Sequence, residues 1–164
     1  PVRVDTFLQN VLDNLAPELE RTGNTLAQVE LAPATVLADE RLLRQAVTNV
    51  LLNTTRHAPG SAITVRAGVA PDGSHVDVAI ADNGPGVPEE SLGRIFEVFY
   101  RTDPSRTAAS GGSGLGLAIV QRAMRAMGGE ATAESIEPHG LRVILTLRVT
   151  GQKAAENSTR EASA

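Results

Sequence analysis

Four clusters of residues in this chain carry chemistry by their type and spacing. Gly111-Gly112-Ser113-Gly114-Leu115-Gly116-Leu117 places four glycines in six residues, directly ahead of a helix-like run from Ala118 to Met124. Bare backbone N–H groups followed by a helix N-terminus, with its unsatisfied donors and partial positive charge, make a seat for phosphate oxygens. A glycine-rich turn also serves plain close packing. Upstream, Asn49 and Asn53 are four residues apart, with Arg56 and His57 three and four beyond Asn53. At about 100° per residue, Gln45, Asn49, Asn53 and Arg56 share one narrow stripe of a helix. Stacked carboxamides offer neutral oxygens to a hard cation and to phosphate groups around it, although the same stripe could be a solvated polar face.

The third cluster is Asp82-Asn83-Gly84-Pro85-Gly86-Val87-Pro88, where Asp82 falls in phase with the apolar residues Val76, Val78 and Ile80. A carboxylate aimed at the covered side of a strand needs a donor, since burying it unpaired costs several kcal/mol. The exocyclic amine of a purine is such a donor, and its bond to a charged acceptor contributes roughly 1.5–3 kcal/mol. Gly84 and Gly86 let backbone approach a flat base closely. An Asp that merely caps an Asp-Asn-Gly turn is the competing reading. The fourth cluster, Ile95-Phe96-Glu97-Val98-Phe99-Tyr100-Arg101, holds the only tyrosine and two of the three phenylalanines. These aromatics are expected to anchor a loop that carries Arg101, Ser105 and Arg106, and the loop is expected to move as a lid over a nucleotide.

Positioning these clusters requires a particular set of elements. Phe7, Leu8, Val11, Leu12 and Leu15 are spaced as on one helix face, with Asp5 as the expected N-cap. Leu26 to Leu31 reads as a short strand, and Asp39 caps a second helix running to about His57, with Leu43, Ala46, Val47, Val50 and Leu51 as its apolar arc. Alternation at Ile63, Val65, Ala67 and Val69, then at Val76, Val78 and Ile80, across a Pro71-Asp72-Gly73 turn gives a hairpin. A short helical piece is expected near Pro88 to Arg94, and a third helix from about Leu115 to Met127, stopped by Gly128-Gly129. Strands near Glu130 to Ile136 and Leu141 to Val149 close the domain. These elements make a two-layer α+β sandwich: a mostly antiparallel mixed sheet covered on one face by three helices. Residues 1–150 form one domain, and the Ala/Ser/Glu-rich stretch 151–164 reads as a flexible tail.

The gross composition narrows the ligand. A length of 164 residues and 41% hydrophobic content suit one globular domain, whose core must be aliphatic because aromatics are 2%. A net charge of −4 without any aromatic-plus-basic cluster argues against nucleic acid. With no cysteine there is no disulfide framework. No apolar run approaches the roughly 18 residues of a membrane span, so no membrane insertion is expected of this piece. The chain opens Pro1-Val2-Arg3 and reads as a segment of a longer protein.

Taken in order, Asn49…Asn53-Thr54-Thr55-Arg56-His57, Asp82-Asn83-Gly84-Pro85-Gly86, Phe96-Glu97-Val98-Phe99-Tyr100-Arg101 and Gly111-Gly112-Ser113-Gly114-Leu115-Gly116-Leu117 resemble the N, G1, F and G2 boxes of bacterial sensor histidine kinases. The similarity spans roughly Val4 to Val149 and lies in the catalytic ATP-binding domain, within the superfamily that holds gyrase, Hsp90 and MutL. It implies a Bergerat fold with ATP and Mg²⁺ as cofactors. By the resemblance, Asn53 is the main Mg²⁺ ligand, with Asn49 beside it in the metal and phosphate network. Arg56 stands near the phosphates, and His57 occupies a position often held by Tyr or Phe against the adenine. Asp82 bonds the adenine amine, with Gly84, Gly86 and Val87 lining the base pocket. Tyr100 is a nucleotide-binding residue, Arg101 and Arg106 are lid arginines that can reach the terminal phosphate, and Gly112, Ser113, Gly114, Leu115 and Gly116 close around the phosphates. Val98 and Leu141 depart from the family pattern, Leu141 lacking a threonine hydroxyl.

The implied activity is transfer of the γ-phosphoryl group of ATP to a histidine on a separate dimerisation domain of the same parent, and through it to a response regulator. Asn49 cannot accept a proton as the glutamate of gyrase-like relatives does, so hydrolysis is expected to be slow. None of His57, His75 and His139 sits in an acceptor-like context. Catalysis then falls to Asn49, Arg101 and Arg106 through positioning and charge neutralisation. A stand-alone ATPase, an anti-sigma-factor-type serine kinase and a degenerate regulatory module are the alternative readings. The piece itself is expected to be monomeric and cytoplasmic, in a parent anchored in the bacterial inner membrane.

Overall fold

Strand β5 (His75–Asp82) shows how the sheet is made. Its residues alternate between buried and half-buried along the whole length, ending with Asp82 on the buried face. The computed structural model describes residues 1–100 and 114–150. Within them β5 is the central strand of a five-stranded sheet of order β2-β4-β5-β7-β6, built with β2 (Thr25–Leu31), β4 (Ala62–Val69), β6 (Glu130–Ser135) and β7 (Leu141–Arg148). β4, β5, β7 and β6 pair antiparallel in sequence across the sheet, and only β2 runs parallel to its neighbour β4. A parallel pair needs a long crossover, and here it contains helix α2 (Glu40–His57).

Helices α1 (Val4–Arg21), α2 and α3 (Gly116–Ala126) supply Phe7, Leu8, Leu43, Val50, Val120 and Met124 to one continuous core with Ile63, Val78, Ile80, Val143 and Leu145 of the sheet. The expected α+β sandwich is therefore the observed fold. The N-cap of α2 is Asp39, whose carboxylate accepts from the N–H groups of Arg41 at 2.9 Å and Leu42 at 3.1 Å.

Three local expectations are corrected. Asp5 does not cap α1; it lies in the first turn and bonds Arg3, while the helix starts at Val4. The reason is tertiary: β1 (Val2–Arg3) pairs with β3 (Thr35–Val36), and the Val4 N–H donates to the Ala34 carbonyl at 2.9 Å, which replaces a side-chain cap. The helical piece near Pro88 to Arg94 contracts to a 3₁₀ turn over Glu89–Ser91. The strand expected from Leu26 starts at Thr25. The expected tail, 151–164, lies outside the described residues.

Candidate functional site

The C-terminal half of α2 lies beside the end of β5, and their meeting point is Asp82. Asp82 is a buried residue, and its Oδ1 accepts from the Gly84 N–H at 2.9 Å. The turn-capping role of Asp82 is therefore real, and it occupies one oxygen. Burial pushes this carboxyl above the usual aspartate range; the Gly84 and Leu141 N–H groups, the Thr54 hydroxyl and the charge of His57 offset only part of that. A carboxylate held by donors yet still desolvated is suited to one further donor.

The two glycines after Asp82 answer to the protein's own packing. A Cβ on Gly84 would overlap the Cβ of Ala58 at the end of α2 and come within 3.0 Å of Asp82 Oδ1. Gly86 has φ +71°, and a Cβ there would lie 2.9 Å from the Gly140 carbonyl oxygen. Gly140 in turn lies against the backbone of Asp82 and Asn83. Val87, half-buried, packs against the core.

Asn53 and Asn49 lie about one and two turns back from the end of α2. The Asn49 amide donates to the Gln45 carbonyl at 2.8 Å. Its carbonyl oxygen is the nearest atom to the space beside Gly116, 3.7 Å from where a Cβ would stand. Asn53 is half-buried, and its carboxamide makes no hydrogen bond among the described residues. Gly116 opens α3, whose first turn has no side-chain cap. The structure thus brings Asn49 to the N-terminus of α3, which has no side-chain cap among the described residues and whose N–H donors and partial positive charge favour phosphate oxygens. From Asn49 to His57 the rise along α2 is about 12 Å. Arg56 and His57 are exposed on the last turn.

The aromatic cluster anchors its loop with part of its members only. Ile95 and Phe96 are buried, and Tyr100 donates to the buried Ser91 hydroxyl at 2.9 Å while Arg94 stacks 4.6 Å from its ring centre. Tyr100 is thereby fixed to the domain. Phe99 is different: it is 70% exposed, its φ is +61°, and its N–H donates to the Gly114 carbonyl at 3.0 Å. Gly114 has φ +72°, and a Cβ there would lie 2.8 Å from Phe99 Cα. Phe99 and Gly114 are thus in direct backbone contact. Arg101, Arg106, Gly112 and Ser113 fall in the 101–113 stretch, outside the described residues.

Several contributors were not evident in the sequence. Thr54, Ala58 and Gly140 all shape the Asp82 end of the site. Asn24, buried after α1, donates to the Ala58 carbonyl at 2.8 Å and to the Ser61 hydroxyl at 3.0 Å, which fixes the end of α2. A polar side chain between a helix and the first strand was the available signal. Among the described residues no group of three His, Cys, Asp or Glu could hold a metal, so a cation here would depend on carboxamide and phosphate oxygens. The Asn53 carboxamide, which makes no hydrogen bond among the described residues, and Asn49 Oδ1 facing Gly116 fit that donor set.

Comparison with known proteins settles the lineage. Residues 38–151 match the family described as histidine kinase-, DNA gyrase B-, and HSP90-like ATPase. The chain belongs to that family. Within it, the chain corresponds to the ATP-binding catalytic domain of histidine kinases. It is 35% identical over 147 residues to the sensor histidine kinase CpxA of Escherichia coli (strain K12), covering 89% of this chain and 32% of CpxA. The mycobacterial sensor histidine kinase MprB superposes with a TM-score of 0.73 at 30% identity, covering 87% of this chain and 95% of that one. Full-length ShkA in complex with AMPPNP gives a TM-score of 0.77 at 33% identity, over 93% of this chain and 32% of ShkA. The chain spans about a third of the length of the curated relatives it matches. No helix among the described residues is long and apolar enough to cross a membrane.

Proposed function

We propose that this domain binds ATP with Mg²⁺ along α2 and donates the γ-phosphoryl group to a histidine of a separate dimerisation domain in the same parent protein. The supporting observation is the pairing of two features at opposite ends of one helix face. A buried, partly satisfied carboxylate, Asp82, lies at one end; the N-terminus of α3, without a side-chain cap among the described residues, faces Asn49 at the other. The AMPPNP complex of the related ShkA supports the same ligand.

In this reading Asp82 accepts from the adenine amine while Gly84 and Gly86 keep the base pocket narrow, with Val87 and His57 beside it. Asn49 and Asn53 present oxygens to the cation, Arg56 adds positive charge, and the N–H groups of Gly114, Leu115 and Gly116, with Gly112 and Ser113, receive the phosphates. Held by the Asn49 and Asn53 oxygens, Mg²⁺ would supply charge neutralisation for the transfer. Arg101 and Arg106 neutralise charge on the γ-phosphoryl group during transfer, and Tyr100 contacts the nucleotide. An imidazole nitrogen of the acceptor attacks phosphorus, the bond to the β-phosphate oxygen breaks, and ADP leaves. The acceptor must come from outside, because the chain's own histidines have other positions. His75 Nδ1 meets the Ser74 hydroxyl at 2.7 Å, His139 Nδ1 meets the Gly84 carbonyl at 2.9 Å, and His57 belongs to α2. The phosphoryl group then passes to a response regulator; the domain itself is a cytoplasmic monomer, and the parent is anchored in the inner membrane.

Calorimetric titration with ATP and ADP, each with and without Mg²⁺, tests ligand and cation together. Asp82→Asn adds the decisive arm. Gly84 N–H claims the acceptor oxygen, so the amide N–H₂ faces the base, donor against donor, and ADP affinity falls about tenfold or more. Unchanged affinity sinks the assignment of Asp82. Incubation of the domain alone with radiolabelled ATP should leave it unlabelled; stoichiometric label on it rules out an external acceptor.

A further inference from the structure

The β6–β7 turn grips the loop that follows Asp82. His139 is exposed in that turn, yet its Nδ1 lies 2.9 Å from the Gly84 carbonyl oxygen. A carbonyl only accepts, so Nδ1 carries the proton and the ring donates. On either side of this bond the two backbones are in contact. Gly140 lies against the Asp82 carbonyl, and Gly86 has room for a hydrogen alone before Gly140. Asp82 and Leu141 are also register partners at the end of the β5–β7 ladder. Gly84 is thus held through both of its flanking peptide groups: its N–H donates to Asp82 Oδ1, and its carbonyl accepts from His139. Rotation of that residue would swing the Gly84 N–H away from Oδ1 and turn the carboxylate with it.

We infer that His139 is a positioning residue for base recognition: by fixing the Gly84 carbonyl it orients Asp82 toward an incoming purine amine. This rests on the nucleotide-binding reading above. The side chain itself touches no ligand in this role; it acts through Gly84. The bond is exposed and single, so its removal should weaken ADP binding about three- to tenfold.

The test is titration of the wild-type domain, His139→Ala and His139→Asn with ADP and with inosine diphosphate, which lacks the amine. The wild type should prefer ADP. In His139→Ala the ADP affinity should fall while inosine diphosphate affinity stays, so the preference shrinks. His139→Asn, whose amide can donate to the same carbonyl, should restore most of it. Equal weakening for both nucleotides, or no change in His139→Ala, overturns the role of His139 while leaving nucleotide binding intact. A wild-type domain that binds neither nucleotide overturns the underlying reading instead.

Discussion

Gly84 and Ala58 meet so closely that a methyl group on Gly84 would overlap the Ala58 Cβ. The loop after β5 therefore rests directly on the last turn of α2, and the two sides of the base end share one contact. Gly84→Ala must push them apart. Backbone lies behind Ala58, with its Cα 3.3 Å from the new atom, so relief by a side-chain rotation is not available. The expected loss is about 1–3 kcal/mol of stability by overpacking, read as a lower denaturation midpoint. Ala58→Gly in the same chain should recover much of it, and strict additivity in that double-mutant cycle would show that the two do not meet.

The same contact marks where the sequence stopped being informative. Hydrophobic alternation placed Asp82 on the buried face, and periodicity with an Asp cap placed α2, because both signals are local and repeat along an element. The stripe of Asn49 and Asn53 was legible for the same reason. The close fit at Gly84, by contrast, involves a residue 26 positions away on another element, Ala58, which no local pattern shows. Asp5 failed as a cap because the Ala34 carbonyl, a long-range partner, took the terminal N–H. Phe99 failed as an anchor because its positive φ turns it outward, against Gly114. Propensity and period see neither event.

Asn24 should be a stability residue with a functional consequence. Its amide bonds the Ala58 carbonyl and Ser61, while its oxygen accepts from the Thr22 hydroxyl at 2.6 Å. Asn24→Ala removes these bonds, each worth roughly 0.5–1.5 kcal/mol, and loosens the end of α2. The Ala58 carbonyl keeps the Ser61 N–H, and the Thr22 hydroxyl keeps the Glu18 and Leu19 carbonyls. Chemical denaturation should show the loss, and hydrogen exchange should show faster opening at Ala58 than in the middle of α2. Uniform exchange along the helix would contradict this placement.

Asn53→Ala should separate cation binding from base binding. The side chain has no hydrogen bond among the described residues to lose, so stability changes little. Affinity for ATP in Mg²⁺ should fall about tenfold, while ADP in the presence of a chelator should bind as before. Equal losses under both conditions would make Asn53 a structural residue.

Asp82 should give the chain a pH dependence opposite in sign to that of its paired acids. Burial raises the Asp82 carboxyl, so the folded chain keeps this proton to higher pH than the unfolded one. Across the window from about pH 4 up to the raised folded value, the folded state binds more protons, and stability falls as pH rises. The contribution is whole below the unfolded value and absent above the folded one. Asp5, Glu18 and Asp72, lowered by Arg3, Arg21 and Ser74, act in the other direction. They are common to wild type and Asp82→Asn, so the difference between the two isolates Asp82. Denaturation at a series of pH values should show the wild type losing ground to Asp82→Asn as the window is crossed, then a constant gap. Saturating ADP should narrow the window, because a bond from the base amine favours the ionised carboxylate. A pH-independent gap without ligand would mean that the carboxylate is ionised at no cost, its donors having offset burial in full.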